Sequence, residues 1–199
     1  LDAGQTAPER IVTASQGVHL VVNRDFMPGH HALLVPKTQD GRVLFAVPWM
    51  GALILGTTDT PRQDLPREPQ AFESELDFIL NESSKVLSRP VTRADVQSMW
   101  VGLRPLVGSN QPKAGTKGLS REHTIVTDDN GLITITGGKW TTYRAMAEDV
   151  MEACFEAGVL PRKVGESNRD HVLLGAVKDS SGVAVCNPPS WHIYGSEEA

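Results

Sequence analysis

Short apolar runs that recur on either side of glycine turns constrain this chain more than any other feature. Residues 32–35 and 43–47 flank Asp40-Gly41, and residues 123–127 and 132–136 flank Asn130-Gly131. Asp-Gly and Asn-Gly supply the positive φ that a tight hairpin needs, so both pairs are predicted to be antiparallel hairpins. Residues 18–22 add a strand with Val18, Leu20 and Val22 on one face and His19 and Val21 on the other. Pro48-Trp49-Met50-Gly51 is predicted to reverse the chain into a further apolar run at 52–57, and residues 97–106 return to strand.

Helical periodicity occurs twice. Residues 72–87 carry a stripe of Phe72, Leu76, Ile79, Leu80 and Val86, stopped by Pro90. Residues 141–157 carry Met146, Val150, Ala153, Cys154 and Ala157, stopped by Gly158 and Pro161. Thr92-Arg93-Ala94-Asp95 resembles a capping box for one short turn. Residues 61–69 read as a proline-rich connector and 108–118 as a loop. The tail from 162 is weakly patterned; 172–174 and 183–185 are too short to assign.

The chain has 199 residues, 40% hydrophobic and 22% charged, enough to bury a core and outside the disordered class. Two cysteines exclude a disulfide scaffold. A net charge of −5, with the basic residues evenly spread, argues against a nucleic-acid partner. The apolar charge-free run 43–58 is broken by Pro48 and Gly51 and falls short of the ~20 apolar residues of a bilayer span. The first ten residues carry no signal-peptide pattern, and the absence of a starting Met suggests a piece excised from something longer.

Candidate chemistry concentrates in a few places. Residues 133–144 run from a strand through Gly137-Gly138 into a helix N-terminus carrying Lys139, Trp140, Thr141 and Thr142. Glycines admit close backbone approach, and a helix N-terminus offers free N–H groups and a positive dipole end. The segment fits an anion-holding corner, and equally a tight turn with a capping threonine. Arg104, at the end of an apolar strand before Pro105, fits a bidentate anion contact, an internal ion pair or an exposed strand position. His19 fits a structural strand residue or a general base. The polar run that includes Thr58 and Asp59 fits a capped turn or a pocket wall. No metal site is expected: His30 and His31 are adjacent and would diverge on a strand, and no carboxylate or Cys stands at ligand spacing. Cys154, on its helix stripe, is expected to be a buried inert thiol, and nothing pairs it with Cys186.

Four motifs, in order, carry a resemblance. They are Gly17-Val-His-Leu-Val-Val22, Phe45-Ala-Val-Pro-Trp49 with Gly56-Thr-Thr-Asp-Thr-Pro61, Gly102-Leu-Arg-Pro-Leu106, and Thr136-Gly-Gly-Lys-Trp-Thr-Thr-Tyr-Arg144. Over roughly residues 13–157 the chain resembles FAD-dependent glycerol-3-phosphate dehydrogenases, respiratory, quinone-linked members of the D-amino-acid-oxidase-like flavoproteins. The resemblance implies an α+β fold. A mixed or antiparallel sheet cap with flanking helices (13–127) would bind substrate. The last strand and helix of a split FAD-binding domain would follow (128–160), and then the start of a truncated helical domain (161–199). That family's Gly-x-Gly-x-x-Gly does not occur in this sequence, so the resemblance implies a fragment that is inactive alone.

Carried over, Gly137, Gly138, Lys139, Trp140, Thr141 and Thr142 would contact FAD. The elbow and Lys139 would face the ring edge that becomes electron-rich on reduction. Arg104, with Thr58 and Asp59, would hold glycerol 3-phosphate, Arg104 at the phosphate or at the oxygen being oxidised. His19 would take the C2 hydroxyl proton, dihydroxyacetone phosphate would form, and electrons would pass to quinone. The implied location is cytoplasmic, peripheral on the cytoplasmic membrane, although no basic amphipathic helix stands out. Homodimerisation is a further expectation. Two other readings fit: a non-catalytic β-rich binding module, and a fragment of an oxygen-using glycerol-3-phosphate oxidase.

Overall fold

The computed structural model describes residues 12–107, 122–162, 170–176, 184–190 and 193–195. The loop at 108–118, residue 183 of the 183–185 run and the last four residues lie outside the described set. The fold is α+β, and every strand pair with an assigned register is antiparallel. Two compact units divide the described residues. One is built on Gly17–Thr58 and Glu68–Gly102, the other on Asp59–Arg67 and Leu103–Gly165.

The first unit is a sheet backed by a helix. Its strands are most of β1 (Val12–Asn23), then β2 (Leu33–Val35), β3 (Leu44–Trp49) and β4 (Ala52–Gly56), in the order β2-β3-β4-β1. Alternation sets its two faces. Val18, Leu20 and Val22 of β1 are fully buried with Leu44, Leu53 and Leu55, and they pack with Ile79 and Leu80 of α1 (Glu73–Ser84). The two faces of β1 are therefore divided as expected, and the Val18, Leu20 and Val22 face is the inward one.

Turn chemistry fixes the register. β3 and β4 are joined by Met50 and Gly51 alone, with φ of 47° and 79°, the two positive angles of a type I′ turn. Pro48 and Trp49, expected in the turn, belong to β3 instead. Trp49 pairs with Ala52 next to the turn, so Pro48 opposite Leu53 falls at a non-hydrogen-bonded pair and its missing N–H is not needed. The Asp40-Gly41 turn lies between the paired strands β2 and β3. There the Gly41 N–H donates to Thr38 O (2.9 Å) and the Thr38 N–H to Arg42 O (2.8 Å).

α1 is shorter than its apolar stripe predicts. It stops at Ser84, whose hydroxyl donates to Leu80 O (2.6 Å) and accepts the Val91 N–H (2.8 Å). Phe72 and Val86 lie beyond the helix ends and are exposed. At the helix start, buried Glu75 accepts the Phe72 N–H (2.9 Å) and the Thr58 hydroxyl (2.9 Å), while Thr58 accepts the Val18 N–H (3.0 Å). The Thr92–Asp95 capping box is present, with the Thr92 N–H donating to Asp95 Oδ2 (2.8 Å).

In the second unit, β5 (Thr60–Arg62) pairs with the start of β1, Ser15 opposite Pro61. Part of the expected proline-rich connector is thus a strand three residues long, a setting in which a proline is tolerated. β6 (Ser98–Val107) ends in this unit. β7 (His123–Thr127) and β8 (Ile133–Gly137) form the second hairpin, its turn closed by Asn130 Oδ1 accepting the Leu132 N–H (2.9 Å) and by Gly131 at φ 85°. Helix α2 (Tyr143–Glu156) packs on both strands. Contrary to expectation, no residue of α2 is fully buried and Cys154 is half-buried. A ribbon of two strands is too narrow to cover a whole helical stripe.

Two stability tests follow from these bonds. Thr58→Val leaves the Val18 N–H without this acceptor and Glu75 without this donor, and should cost about 1–3 kcal/mol in urea unfolding. The Asp40 carboxyl is pulled two ways. Partial burial raises its pKa, but hydrogen bonds from the Thr38 hydroxyl, the Arg42 N–H and the Arg42 guanidinium outweigh it and hold it below its ordinary value. Its contribution is complete above the unfolded pKa of about 3.9 and fades as pH falls through the lower folded value. The stability gap between wild type and Asp40→Asn should narrow below about pH 4; a gap that does not change with pH would contradict this.

Candidate functional site

His19 is set by β1's alternation. With Val18 and Leu20 inward, its half-buried ring lies on the opposite face of the sheet. Its register partner on β4 is Gly56, which is also paired with Phe45 on β3. A Cβ built at Gly56 would lie 2.5 Å from His19 Cδ2, so the imidazole leans over the neighbouring strand where no side chain stands. The Trp100 indole stacks on that imidazole, with ring centroids 5.1 Å apart and planes 13° apart. On the same face Val21, Trp49, Met50, Ala52, Ile54 and Trp100 line an apolar cavity of about 520 Å³, a volume within the range of small-molecule sites.

The polar run after β4 divides. Thr58 is fully buried in the first unit, its hydroxyl engaged with Val18 and Glu75. Asp59, half-buried in the second unit, accepts the Ser15 hydroxyl. Arg104 sits half-buried on β6 in that unit.

The 137–142 elbow is built as its sequence demands. Gly137 and Gly138 have φ of 77° and 80°, where side chains strain the backbone. Crowding adds a second reason for glycine. A Cβ at Gly137 would lie 2.6 Å from Glu122 O and from Val107 Cγ2, and one at Gly138 would lie 2.5 Å from Met146 Sδ. Lys139 follows in extended conformation, half-exposed, its Nζ 4.0 Å from Glu122 Oε1. Trp140–Thr142 then form one 3-10 turn before α2, with the Thr142 hydroxyl donating to Lys139 O (3.1 Å). Trp140 is 87% exposed and stacks on Tyr143. The elbow thus presents an ammonium, the exposed Thr141 and a helix N-terminal end on one short stretch.

Two neighbours of these residues escaped the sequence reading. Trp100 is one. The other is His123, paired with Gly137 across the hairpin, whose Nε2 is 2.8 Å from Asp149 Oδ2 of α2. Strand register would have found His123; only the pairing of β6 with β1 finds Trp100. His30, weighed in the sequence only as a metal ligand, has its Nδ1 2.9 Å from the Sγ of buried Cys186.

Comparison with known proteins gives a consistent picture. Residues 1–144 match the family described as FAD dependent oxidoreductase. A mitochondrial glycerol-3-phosphate dehydrogenase of Saccharomyces cerevisiae is 38% identical over 191 residues, covering 92% of this chain and 29% of its own length. The mitochondrial glycerol-3-phosphate dehydrogenase of Mus musculus is 48% identical over 173 residues, covering 86% of this chain and 23% of its own. A glycerol-3-phosphate dehydrogenase from Bacillus halodurans, solved in complex with FAD, superposes with a TM-score of 0.63 at 34% identity. It covers 77% of this chain and 29% of its own. The chain therefore spans less than a third of the length of these relatives.

The elbow generates a ranked prediction. Gly137→Ala meets a backbone carbonyl, whereas Gly138→Ala meets a flexible methionine end. Both should destabilise by about 1–3 kcal/mol, Gly137→Ala more, and Met146→Ala should restore part of the loss only in Gly138→Ala. Thermal melts of the two glycine variants, each with and without Met146→Ala, check the order and the rescue.

Proposed function

We propose, from the premise that this chain belongs to the FAD dependent oxidoreductase family, that it is the substrate-binding part and the closing strand and helix of a flavin-dependent glycerol-3-phosphate dehydrogenase. The observation that carries this reading is the elbow: two glycines held at positive φ, then Lys139 and a helix start. The relatives named above act on glycerol 3-phosphate by name, and one of them holds FAD. In this reading residues 13–127 form the cap, and residues 128–160 complete a split FAD-binding domain.

The donor set at the elbow suits an anionic partner. Lys139 is half-exposed, Thr141 is exposed, and α2 begins directly after. Residues 137–142 would hold FAD there, and the group when bound supplies a two-electron acceptor. Lys139 and the helix start stabilise negative charge at the edge they meet. Arg104 holds the substrate through its phosphate or through the oxygen being oxidised, a bidentate task suited to a guanidinium. His19 accepts the C2 hydroxyl proton, and dihydroxyacetone phosphate results. Quinone as acceptor, pairing of two copies and peripheral attachment to the cytoplasmic membrane belong to the same proposal. Among the described residues, no helix is long and apolar enough to cross a membrane.

Protein expressed from the intact gene is expected to carry a flavin absorbance band and to oxidise glycerol 3-phosphate with an artificial dye. His19→Gln should lower kcat by about 10²- to 10⁴-fold, and Arg104→Met should raise KM for glycerol 3-phosphate by about tenfold or more. Protein that binds no flavin, or oxidises no glycerol 3-phosphate, would overturn the proposal. Peroxide release in place of dye reduction would redirect it to an oxidase.

A further inference from the structure

We propose that Trp100 and Gly56 are positioning residues for His19, a role that rests on His19 being the proton acceptor. A histidine on the outer face of a sheet is ordinarily free to sample several rotamers. Here two features remove that freedom. Gly56 leaves a gap in the side-chain row of β4 directly opposite His19, and the imidazole occupies it; a Cβ at Gly56 would lie 2.5 Å from Cδ2 and 3.0 Å from Cγ. The Trp100 indole lies nearly parallel to the imidazole, 5.1 Å from it between centroids. One feature fixes where the ring can lie, and the other fixes its plane.

The bland account of Trp100 is packing, and its surroundings speak against that. Trp100 is 43% exposed and is not part of the buried core formed by Val18, Leu20, Val22 and the residues of α1. It stands on the opposite face, where it walls the apolar cavity with Val21, Trp49 and Ile54. A large indole left this open to solvent gives little to the core, yet one face of it is spent on the His19 imidazole. Gly56 points the same way. Its φ is not in the left-handed region, so φ does not require glycine there; the His19 ring comes nearest to where a Cβ would stand, with Val18 O 3.0 Å away as well. Proton transfer needs the accepting nitrogen aimed at the hydroxyl within hydrogen-bond reach, and a ring held in one orientation meets that need without an entropic loss at each turnover.

The test reads the ring directly. In protein labelled at histidine, the His19 ring protons should be displaced upfield by the indole. Trp100→Leu should abolish the displacement, Trp100→Phe should keep most of it, and Gly56→Ala should move the His19 signals although the indole remains. His19 signals unchanged in Trp100→Leu and in Gly56→Ala, with native circular dichroism, would overturn the proposal. If Trp100→Leu does not fold, Trp100→Phe and Gly56→Ala carry the test. In the flavin-loaded protein Trp100→Leu should lower kcat about tenfold with KM for glycerol 3-phosphate within about twofold, and Trp100→Phe should restore most of it. An equal loss in the Phe and Leu variants would refute positioning by an aromatic face. His19→Gln separates the two claims: full kcat in that variant removes the proton-acceptor reading, whereas the ring shifts report on positioning alone.

Discussion

The side-chain alternation of β1 is the constraint from which the rest of the sheet unit follows. Val18, Leu20 and Val22 are completely buried against α1 and the inner faces of β3 and β4. Slipping the strand by one residue would bring His19 and Val21 inward and push three apolar residues into water. Each apolar side chain is worth roughly 1.5–3 kcal/mol when buried, so the register is firmly held. The place of His19 on the outer face is thus decided by residues whose side chains lie on the other face. The two-residue Met50–Gly51 turn does the same for β3 and β4, since it leaves no slack by which Gly56 could drift from its place opposite Phe45.

A buried polar chain ties this sheet to its helix. Glu75 and Thr58 are both buried, and both find partners: Glu75 accepts from the Thr58 hydroxyl and the Phe72 N–H, and Thr58 accepts from Val18. A buried carboxylate is tolerable only with such partners. The chain links the end of β4, the start of α1 and the strand that carries His19. It also separates two adjacent polar residues that look alike in sequence. The Thr58 hydroxyl serves the interior, while Asp59 accepts from Ser15 in the other unit.

Local rules made much of this legible from sequence. Alternation gave the faces of β1, Asn130-Gly131 gave the β7–β8 hairpin, and paired glycines before a helical pattern gave the elbow. The misreadings have local causes as well. Pro48 looked like a turn residue because its strand partner was not known, and only the register shows that its missing N–H is harmless. The stripe of α1 was read too long because periodicity does not register that Ser84 ends the helix with its own hydroxyl. What stayed hidden depends on long-range pairing. The stack of Trp100 on His19 needs β6 beside β1, and the approach of His30 to Cys186 joins residues 156 positions apart. No period within a single segment encodes either.

Glycine serves this chain in two physically different ways, and the difference bears on which positions carry chemistry. At Gly137 and Gly138 the backbone itself requires it: φ is positive at both, and atoms of the chain's own hairpin and helix fill the space a Cβ would take. There glycine shapes the main chain, and a side chain would distort the elbow as a whole. At Gly56 φ lies outside the left-handed region, and the space a Cβ would take is crowded chiefly by the His19 ring, with Val18 O also 3.0 Å away. There glycine shapes a side chain on the neighbouring strand. A methyl group at Gly56 would meet the His19 ring at 2.5 Å and the Val18 carbonyl oxygen at 3.0 Å, and of the two the side chain is the more closely approached. Its larger effect should therefore fall on the orientation of the His19 ring, whereas a side chain at Gly137 or Gly138 strains the main chain itself.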